Sequence, residues 1–336
     1  MRSQLKTSPK RLIAVFGMPR SGTTWVGKIF DSHPATIYRH EPDSGGRLSE
    51  IPYAPSIDNS ERYAATIDNF VAKLLDLRSA RVAGKMPVFP KLYHTAFQHL
   101  LTRGSVAAAG IGARFFGDVR VHEFINSTAL AESPVIWKSI ESVTRLGVLA
   151  RALPAANFIH LVRHPCGFVA SNLRGKTLKP GDFSGNKDGA EDFPLLQLLL
   201  NTDVGRSSGV MLGDLQNMSP VERQAWRWYV STEKALKDID GLPNCMTVLY
   251  EDICRNPMEM TRRMFAFANL NWNAQTEEFV AASTAKEKSA YYSVFKNPLQ
   301  SANRWRQQLP NTTIDSIVAV VGRTGAGSLY ANQQPT

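Results

Sequence analysis

Short, continuous apolar runs alternate with amphipathic segments along most of the chain. Leu12-Ile13-Ala14-Val15-Phe16 is such a run, and it is typical of a strand buried on both faces. Further strand-like runs cover residues 35–38, 135–138, 157–162 and 246–250. Helical patterns cover residues 25–30, 60–77, 143–153, 165–173, 257–267 and a segment that opens with a capping box at Ser219-Pro220-Val221-Glu222. The alternation predicts an α/β protein of three layers, α/β/α, around a central parallel sheet.

The 336 residues favour one elaborated domain, with a core over residues 12–270. Gly, Asp, Lys and Ser dominate residues 175–220 around one apolar patch, so we expect an insertion or a lid there. Residues 325–336 are rich in Gly, Ser and Gln, which predicts a loose tail.

Composition excludes several classes of protein. Apolar residues make up 43% of the chain and charged residues 20%, which suffices for a core and argues against disorder. Three cysteines are too few for a disulfide scaffold and fit a reducing compartment. The apolar stretch Leu12–Met18 is stopped by Pro19 and Arg20 and is too short for a targeting core or a membrane span. We therefore expect no stable membrane span and a cytoplasmic location.

The formal charge of +10 points to an anionic partner. Nucleic acid, anionic lipid and a small polyanionic ligand all fit such a charge. The basic residues are dispersed along the chain apart from a short N-terminal group, whereas a nucleic-acid-binding module would cluster them with aromatic residues. We therefore expect no nucleic-acid partner.

The first predicted strand runs into a glycine-rich turn. Gly17 and Gly22 are separated by four residues, and Thr23-Thr24 opens a helix. Strand, turn and helix N-terminus together form a P-loop-like phosphate-binding loop, in which backbone N–H groups and the helix dipole face an anion. A tight turn in another α/β protein is the alternative.

The loop departs from the Walker pattern of nucleotide kinases, G-x-x-x-x-G-K-[ST]. Thr23 stands where the Walker lysine would be, and the cation has moved to Arg20. Without that lysine, the hypothesis of a P-loop kinase or NTPase loses its main support. It remains the alternative function. Arginine within the turn suits a smaller terminal group with planar or tetrahedral oxygens.

Three motifs in order resemble the sulfotransferases that use 3′-phosphoadenosine 5′-phosphosulfate (PAPS). The motif at residues 19–25, Pro-Arg-Ser-Gly-Thr-Thr-Trp, looks like their 5′-phosphosulfate loop. Residues 161–171 have the form of their second motif, with Arg163 at the end of a strand and Ser171 eight residues later. Tyr250-Glu251-Asp252 follows a strand, as the third motif does. In style the motifs are closest to the bacterial, carbohydrate and tyrosylprotein branches.

The resemblance implies PAPS as co-substrate, adenosine 3′,5′-bisphosphate (PAP) as product, and a hydroxyl-bearing acceptor. It places Arg20 on the leaving group and Arg163 with Ser171 on the 3′-phosphate. The residues implied on the 5′ side are Ser21, Gly22, Thr23 and Thr24, while Trp25 and Tyr250 would contact adenine. Core packing is the alternative for these two aromatic residues. The resemblance requires no metal.

A transferring enzyme also needs a base, because a hydroxyl is a poor nucleophile near neutral pH. Glu41, 21 residues after Arg20, resembles the catalytic glutamate of the carbohydrate and tyrosylprotein branches. His40 has the more convenient ordinary pKa. Adjacent residues of an extended segment point to opposite sides, so we expect only one of the two in the cleft and favour Glu41. A surface salt bridge is the alternative for Glu41.

The remaining candidates are basic or hydroxyl side chains further along the chain. Lys138 ends a predicted strand, where it would meet sulfuryl oxygens or simply lie at the surface. Lys296, Arg304 and Arg306 resemble a basic segment, within residues 285–310, that closes over the nucleotide. Ser283 and Thr284 are candidates near adenine. The sequence leaves open the acceptor, which the resemblance limits to a hydroxyl of a carbohydrate, lipid or small molecule, and also the oligomeric state.

Overall fold

A five-stranded parallel sheet forms the centre of the computed structural model, which describes residues 11–177, 193–285, 297–322 and 324–331. The strand order is β2-β3-β1-β4-β5. The strands are β1 (Leu12–Gly17), β2 (Ile37–His40), β3 (Val135–Ser139), β4 (Asn157–Val162) and β5 (Cys245–Leu249). The prediction of an α/β fold with a central parallel sheet is confirmed.

Alternate residues of each strand face two separate cores. Phe16 packs edge-on against Trp137 and Phe158 on one side of the sheet. Val15 belongs to the core on the opposite side. Because both faces are apolar, the strands read as continuous hydrophobic runs, and helices cover both sides.

Helices connect the strands and fill both outer layers. In chain order they are α1 (Thr23–Ser32), α2 (Ser60–Ala72), α3 (Ala80–Ala83), α4 (Ala96–Phe116), α5 (Ser127–Glu132), α6 (Leu146–Ala152), α7 (Pro165–Thr177), α8 (Phe193–Leu200), α9 (Asp203–Ser207), α10 (Leu212–Asn217), α11 (Pro220–Ile239), α12 (Tyr250–Arg255), α13 (Pro257–Phe267), α14 (Ala274–Ala285), α15 (Pro298–Asn303), α16 (Trp305–Gln308), α17 (Asn311–Val321) and α18 (Gly325–Ser328).

Three segments differ from the patterns in the sequence. The helix predicted over residues 60–77 ends at Ala72 and continues as a 3₁₀ turn, Leu74–Asp76. The strand predicted over 35–38 lies at 37–40, because it pairs in register with β3. Helix α4 was not predicted from the sequence, and its large apolar side chains mostly point away from the core.

The predicted insertion contains packed helices wherever the structure describes it. Leu196, Leu199 and Leu215 from α8 and α10 form a separate apolar cluster with Trp226 and Val230 of α11. Apolar residues at helical spacing in α8 and α10 therefore attach this segment to the domain. A role as a lid stays a prediction.

The C-terminal tail is packed over its first residues, where a loose segment was expected. Tyr330 is buried, and its hydroxyl donates a hydrogen bond to Glu251 Oε2 at 3.1 Å. This aromatic side chain anchors residues 324–331, and the Gly, Ser and Gln content that predicted a loose segment did not indicate this anchor.

Candidate active site

The phosphate-binding loop follows β1 as predicted. Arg20 and Gly22 both have left-handed backbones, with φ of 72° and 86°, and α1 begins at Thr23. A Cβ on Gly22 would lie 2.5 Å from the ring of Tyr250, so only glycine fits both the backbone and the space. Ser21 and Thr23 are buried, and Thr24 is half-buried at the start of the helix. The main-chain N–H groups of this first turn can therefore face an anion.

Arg20, Ser171 and Arg163 meet although they are far apart in sequence. Arg20 Nε donates to the Ser171 hydroxyl at 3.1 Å. Arg163 Nη1 donates to the main-chain oxygen of Arg20 at 2.7 Å. The structure thus joins the loop after β1 to the strand end and helix after β4, as the predicted common site requires.

The guanidinium of Arg163 is buried and only partly satisfied. Nη2 donates to the main-chain oxygen of Ser301 at 2.8 Å, and the guanidinium carbon lies 4.9 Å from the centre of the Tyr250 ring. Within the described residues, Nε has no hydrogen-bond partner. A buried cationic donor of this kind is suited to a charge-assisted bond with an anion.

His164 stands where the resembled motif has an aspartate. Its Nδ1 accepts a hydrogen bond from the Cys166 N–H at 3.2 Å, in the first turn of α7. Its ring stacks on Trp305 at 4.5 Å. Burial, together with Arg306 and Arg163, lowers the pKa of His164 to about 3. A neutral imidazole therefore takes over the capping role that an aspartate would fill.

Trp25 and Tyr250 form an aromatic wall beside the loop. Their rings meet edge-on at 6.4 Å. Trp25 Nε1 donates to the Ser283 hydroxyl at 3.0 Å, which fixes the indole. Trp25 is half-buried and Tyr250 is buried, so the indole retains surface on which a base could stack. Thr284 bonds only to main-chain oxygens of its own helix among the contacts described.

Glu251 of the third motif supports the second motif. Its Oε1 accepts from the His164 N–H at 3.1 Å, and Oε2 accepts from Tyr330. Burial raises the pKa of this carboxyl group. The motif thus braces the strand end that carries Arg163, a role that the sequence did not indicate.

Glu41 and Lys138 form an ion pair at the ends of β2 and β3. Lys138 Nζ contacts Glu41 Oε1, and the lysine side chain is 1% exposed. The Glu41 N–H also donates to the main-chain oxygen of Lys138 at 2.7 Å. Lys138 therefore lies inside the protein, and the alternative of a surface lysine is wrong.

His40 and Glu41 lie on the same side of the chain, contrary to the expectation for neighbours in a strand. His40 Nε2 is 3.6 Å from Glu41 Oε1. The reason is the backbone of Glu41, which has a φ of 49° and leaves the extended conformation immediately after β2. Both side chains therefore belong to one cluster.

Positive charge surrounds this cluster. Arg81 Nη2 lies 3.8 Å from Glu41 Oε2. Burial lowers the pKa of Lys85, while Glu41 acts to raise it. Burial and the nearby Lys138 hold the pKa of His40 well below its ordinary value, so this imidazole is neutral near pH 7. Arg81 and Lys85 were not predicted, because they reach the site from α3 and the segment after it.

Asp43 anchors the turn that carries Glu41. Its carboxylate accepts hydrogen bonds from Trp137 Nε1 at 3.1 Å, from Ser139 at 2.5 Å and from Ser142 at 2.6 Å. The carboxylate is buried and ties the turn to β3 and the residues after it. In the sequence, the polar pair Lys138-Ser139 at the end of a strand was the signal that could have indicated a buried polar partner such as Asp43.

A second buried ionic group fixes the segment that contains Lys85. Asp31 of α1 pairs with Lys28 at 2.5 Å and with Lys91 at 2.9 Å. Lys28 also donates to the main-chain oxygen of Lys85 at 2.7 Å. These contacts hold residues 85–91 against α1, next to Glu41.

The predicted C-terminal segment lies over the start of α7. Ser301 accepts from Arg163, and Trp305 stacks on His164. Arg304 is half-buried between α15 and α16, and Arg306 lies over the Trp305 ring at 4.6 Å. Lys296 falls outside the described residues. Closure over a nucleotide and the phosphate contacts of these side chains stay predictions.

Comparison with known proteins identifies the family of this chain. A model described as the sulfotransferase family matches residues 13–187, just over half of the chain. This part contains the phosphate-binding loop, Glu41, Lys138 and the motif with Arg163. The chain therefore belongs to the sulfotransferase family.

Sequence relatives include carbohydrate sulfotransferases. Carbohydrate sulfotransferase 3 of Mus musculus is 31% identical over 81 residues, which cover 24% of this chain and 17% of that protein. The chain thus spans about a sixth of the length of that relative. Carbohydrate sulfotransferase 5 of Mus musculus is 22% identical over 355 aligned positions, which cover 95% of this chain and 82% of that protein.

Solved structures of sulfotransferases are also similar to this chain. Mouse sulfotransferase SULT7A1, solved in complex with PAP, has a TM-score of 0.46 at 12% identity, covering 97% of this chain and 89% of that one. The sulfotransferase domain of the Synechococcus PCC 7002 olefin synthase has a TM-score of 0.43 at 15% identity, covering 95% of this chain and 97% of that domain.

Proposed function

We propose that the protein transfers a sulfuryl group from PAPS to a hydroxyl group of an acceptor. The observation that carries this proposal is the meeting of Arg163 and Ser171 with Arg20 at the phosphate-binding loop. The site thereby offers one cationic group in the loop and another at the end of β4. A donor with a 5′-phosphosulfate and a 3′-phosphate presents anions to both.

Different groups of the protein bind the 5′-phosphate, the 3′-phosphate and the adenine of the donor. The first turn of α1 takes the 5′-phosphate, where N–H groups and the helix dipole favour negative charge. Arg163 and Ser171 take the 3′-phosphate, and the buried Nε of Arg163 supports this role. Trp25 and Tyr250 hold the adenine. Serine and threonine hydroxyls of the loop complete the 5′ side.

Transfer is an in-line displacement at sulfur. The acceptor oxygen forms a bond to sulfur while the bond from sulfur to the bridging oxygen breaks, and PAP leaves with that electron pair. Arg20 neutralises the charge that develops on the leaving oxygen, and Lys138 faces the sulfuryl oxygens. The acceptor proton passes to Glu41. A positioned general base of this kind accelerates transfer by roughly 10²–10⁴-fold.

Glu41 is a better candidate base than His40. Its carboxylate contacts Lys138 and lies near Arg81 at the ends of β2 and β3, beside the side chain proposed to face the sulfuryl oxygens. Burial, together with the positive charge of Lys138, lowers the pKa of His40 and weakens this imidazole as a base. The names of the sequence relatives support a carbohydrate hydroxyl as acceptor. Lipid and small-molecule hydroxyls are the other acceptor classes to screen.

A nucleotide titration tests the proposal against a kinase-like function. We expect PAP to bind without Mg²⁺ and ATP to bind much more weakly, because the loop lacks the Walker lysine. Isothermal titration calorimetry with and without EDTA measures both. Equal affinities, or a metal requirement for PAP, would contradict the proposal. A screen of carbohydrate, lipid and small alcohols with labelled PAPS then identifies the acceptor.

A further inference from the structure

Helix α4 carries an unusual distribution of apolar side chains. Its inner face buries only Thr102, Val106 and Ala109 among its 21 residues. Its outer face exposes large apolar side chains, with Phe97 67% exposed, Phe115 76% and Phe116 83%. An ordinary surface helix has the reverse arrangement, with its apolar stripe toward the core.

Most of the exposed large apolar residues of the described chain lie in this one region. Leu198, Met211 and Leu299 lie elsewhere. The others form what we call the α4 surface, which consists of Met86, Leu92, Phe97, Leu100, Leu101, Ile111, Phe115 and Phe116. Met86, Leu100 and Leu101 line one groove, and exposed apolar surface of this extent indicates an interaction site.

The charge of the same region is entirely positive. Between Asp76 and Asp118 the sequence has six basic residues and no acidic residue. Arg81, Arg103 and Arg114 are exposed. A groove of about 630 Å³ along this face has both Leu100 and Arg103 in its lining, so apolar and cationic groups occur side by side.

We propose that the α4 surface docks this protein onto an anionic lipid bilayer. An amphipathic helix that lies in the plane of the interface combines inserted apolar side chains with basic residues at headgroup level. The bulky side chains run from Phe97 to Phe116, about 30 Å of helix, which matches a flat surface better than one central pocket. Insertion of these side chains and attraction of the arginines to lipid phosphate act together.

Charge complementarity favours lipid over a second copy of the chain. A symmetric contact through this face would place Arg103 and Arg114 of one copy near the same residues of the other. Like charges brought together in this way destabilise a dimer. Among the described residues, none of the helices meets the length and apolarity needed to span a bilayer. The proposed attachment through the α4 surface does not depend on sulfuryl transfer.

The α4 surface lies next to the acceptor side of the candidate active site. Met86 directly follows Lys85, whose charge interacts with Glu41. Arg81, five residues before Met86, lies 3.8 Å from the Glu41 carboxylate. Docking through α4 therefore holds the Glu41 end of the sheet close to the lipid headgroups.

Vesicle co-sedimentation of the full chain tests the proposal. We compare vesicles of phosphatidylcholine with vesicles of equimolar phosphatidylcholine and phosphatidylglycerol. The protein should bind the anionic vesicles, and the triple variant Phe97→Gln, Leu100→Gln, Phe115→Gln should bind roughly a hundredfold more weakly. The matched control Leu198→Gln, Met211→Gln, Leu299→Gln removes three exposed apolar side chains elsewhere and should bind as the parent does.

A charge variant tests the electrostatic contribution. Arg103→Gln with Arg114→Gln should weaken binding to the anionic vesicles by about fivefold for each arginine, and added salt should act in the same direction. Unchanged PAP binding and thermal unfolding confirm that each variant is folded.

Three results would overturn the proposal. One is equal vesicle binding by the α4 triple variant and the parent. Another is equal binding of the parent to neutral and anionic vesicles. The third is a concentration-dependent dimer in lipid-free buffer that the α4 triple variant abolishes, because the face would then be a contact between copies.

Discussion

The two halves of the sheet build their parts of the site in different ways. On the side of β1, β4 and β5, which we call the donor half, hydrogen bonds join contiguous motifs, such as Arg163 to the main chain of Arg20. On the side of β2 and β3, the acceptor half, single charged residues from separate segments gather around Glu41. The donor half is fixed largely by backbone geometry and the acceptor half by buried charge.

Because of this difference, we expect the two halves to respond differently to substitution. Removal of a donor-half side chain leaves most main-chain contacts of the loop in place and changes nucleotide affinity. Removal of an acceptor-half charge leaves its partner buried and unpaired, which alters the charge balance of the whole cluster. Binding and turnover should therefore separate between the halves.

The largest effect is expected from Glu41→Gln. Loss of the base should lower kcat by roughly 10²–10⁴-fold while PAP binding is retained, because the change lies in the acceptor half. Single-turnover rates with labelled PAPS and calorimetry with PAP measure the two quantities. Glu141→Gln, a nearby carboxylate, is the matched control. If turnover survives Glu41→Gln and is lost in His40→Ala, the histidine is the base instead.

Arg163→Ala should weaken nucleotide binding in a phosphate-specific way. The loss of a charge-assisted contact predicts a roughly tenfold to hundredfold lower affinity for PAP, and a smaller change for adenosine 5′-phosphate. Arg163→Lys keeps the charge and should recover part of the affinity, while the exposed Arg262→Ala serves as control. Equal losses for both nucleotides would remove Arg163 from the 3′-phosphate site.

His160 makes the stability of the donor half depend on pH. Its ring on β4 is buried, its Nδ1 has no partner in the described part of the chain, and burial lowers its pKa to about 4. The unfolded chain, with a pKa near 6.5, takes up the proton first, so stability is full above pH 6.5 and falls toward pH 4.

Urea unfolding measures this contribution. Between pH 8 and pH 5 the His160→Leu variant should lose about 2 kcal/mol less free energy of unfolding than the parent does. Other histidines, such as His33 with a pKa also lowered to about 4 by burial, contribute to both proteins and cancel. Parallel curves for the two proteins would show that His160 does not titrate in this range.

The smallest effect is expected from Ser283→Ala. The change removes the acceptor of the Trp25 indole N–H and should weaken PAP binding by about fivefold, roughly 1 kcal/mol. Thr284→Ala, which alters the neighbouring hydroxyl, should leave binding unchanged. If both variants behave alike, the orientation of Trp25 does not depend on this hydrogen bond.

Most of the fold and the donor half followed from the sequence, because local patterns encode them. The run Leu12–Phe16 and the glycines of the loop specify strand, turn and helix over a short stretch. The acceptor half required the structure. Arg81 and Lys85 come near Glu41 through tertiary packing, Asp43 ties the turn that carries Glu41 to β3, and the left-handed backbone of Glu41 reversed the expected direction of its side chain. The acceptor and the cytoplasmic location stay predictions.

The double attachment of Arg20 has a kinetic consequence. Its main-chain oxygen accepts from Arg163, directly after β4, and its guanidinium donates to Ser171 of α7, so the turn after β1 is attached to the residues after β4 at two points. We expect a nucleotide bound at this turn to dissociate faster when one of these two hydrogen bonds is lost. Loss of the hydrogen bond between Arg20 and Ser171 would then shorten the residence time of the nucleotide more than it lowers the affinity.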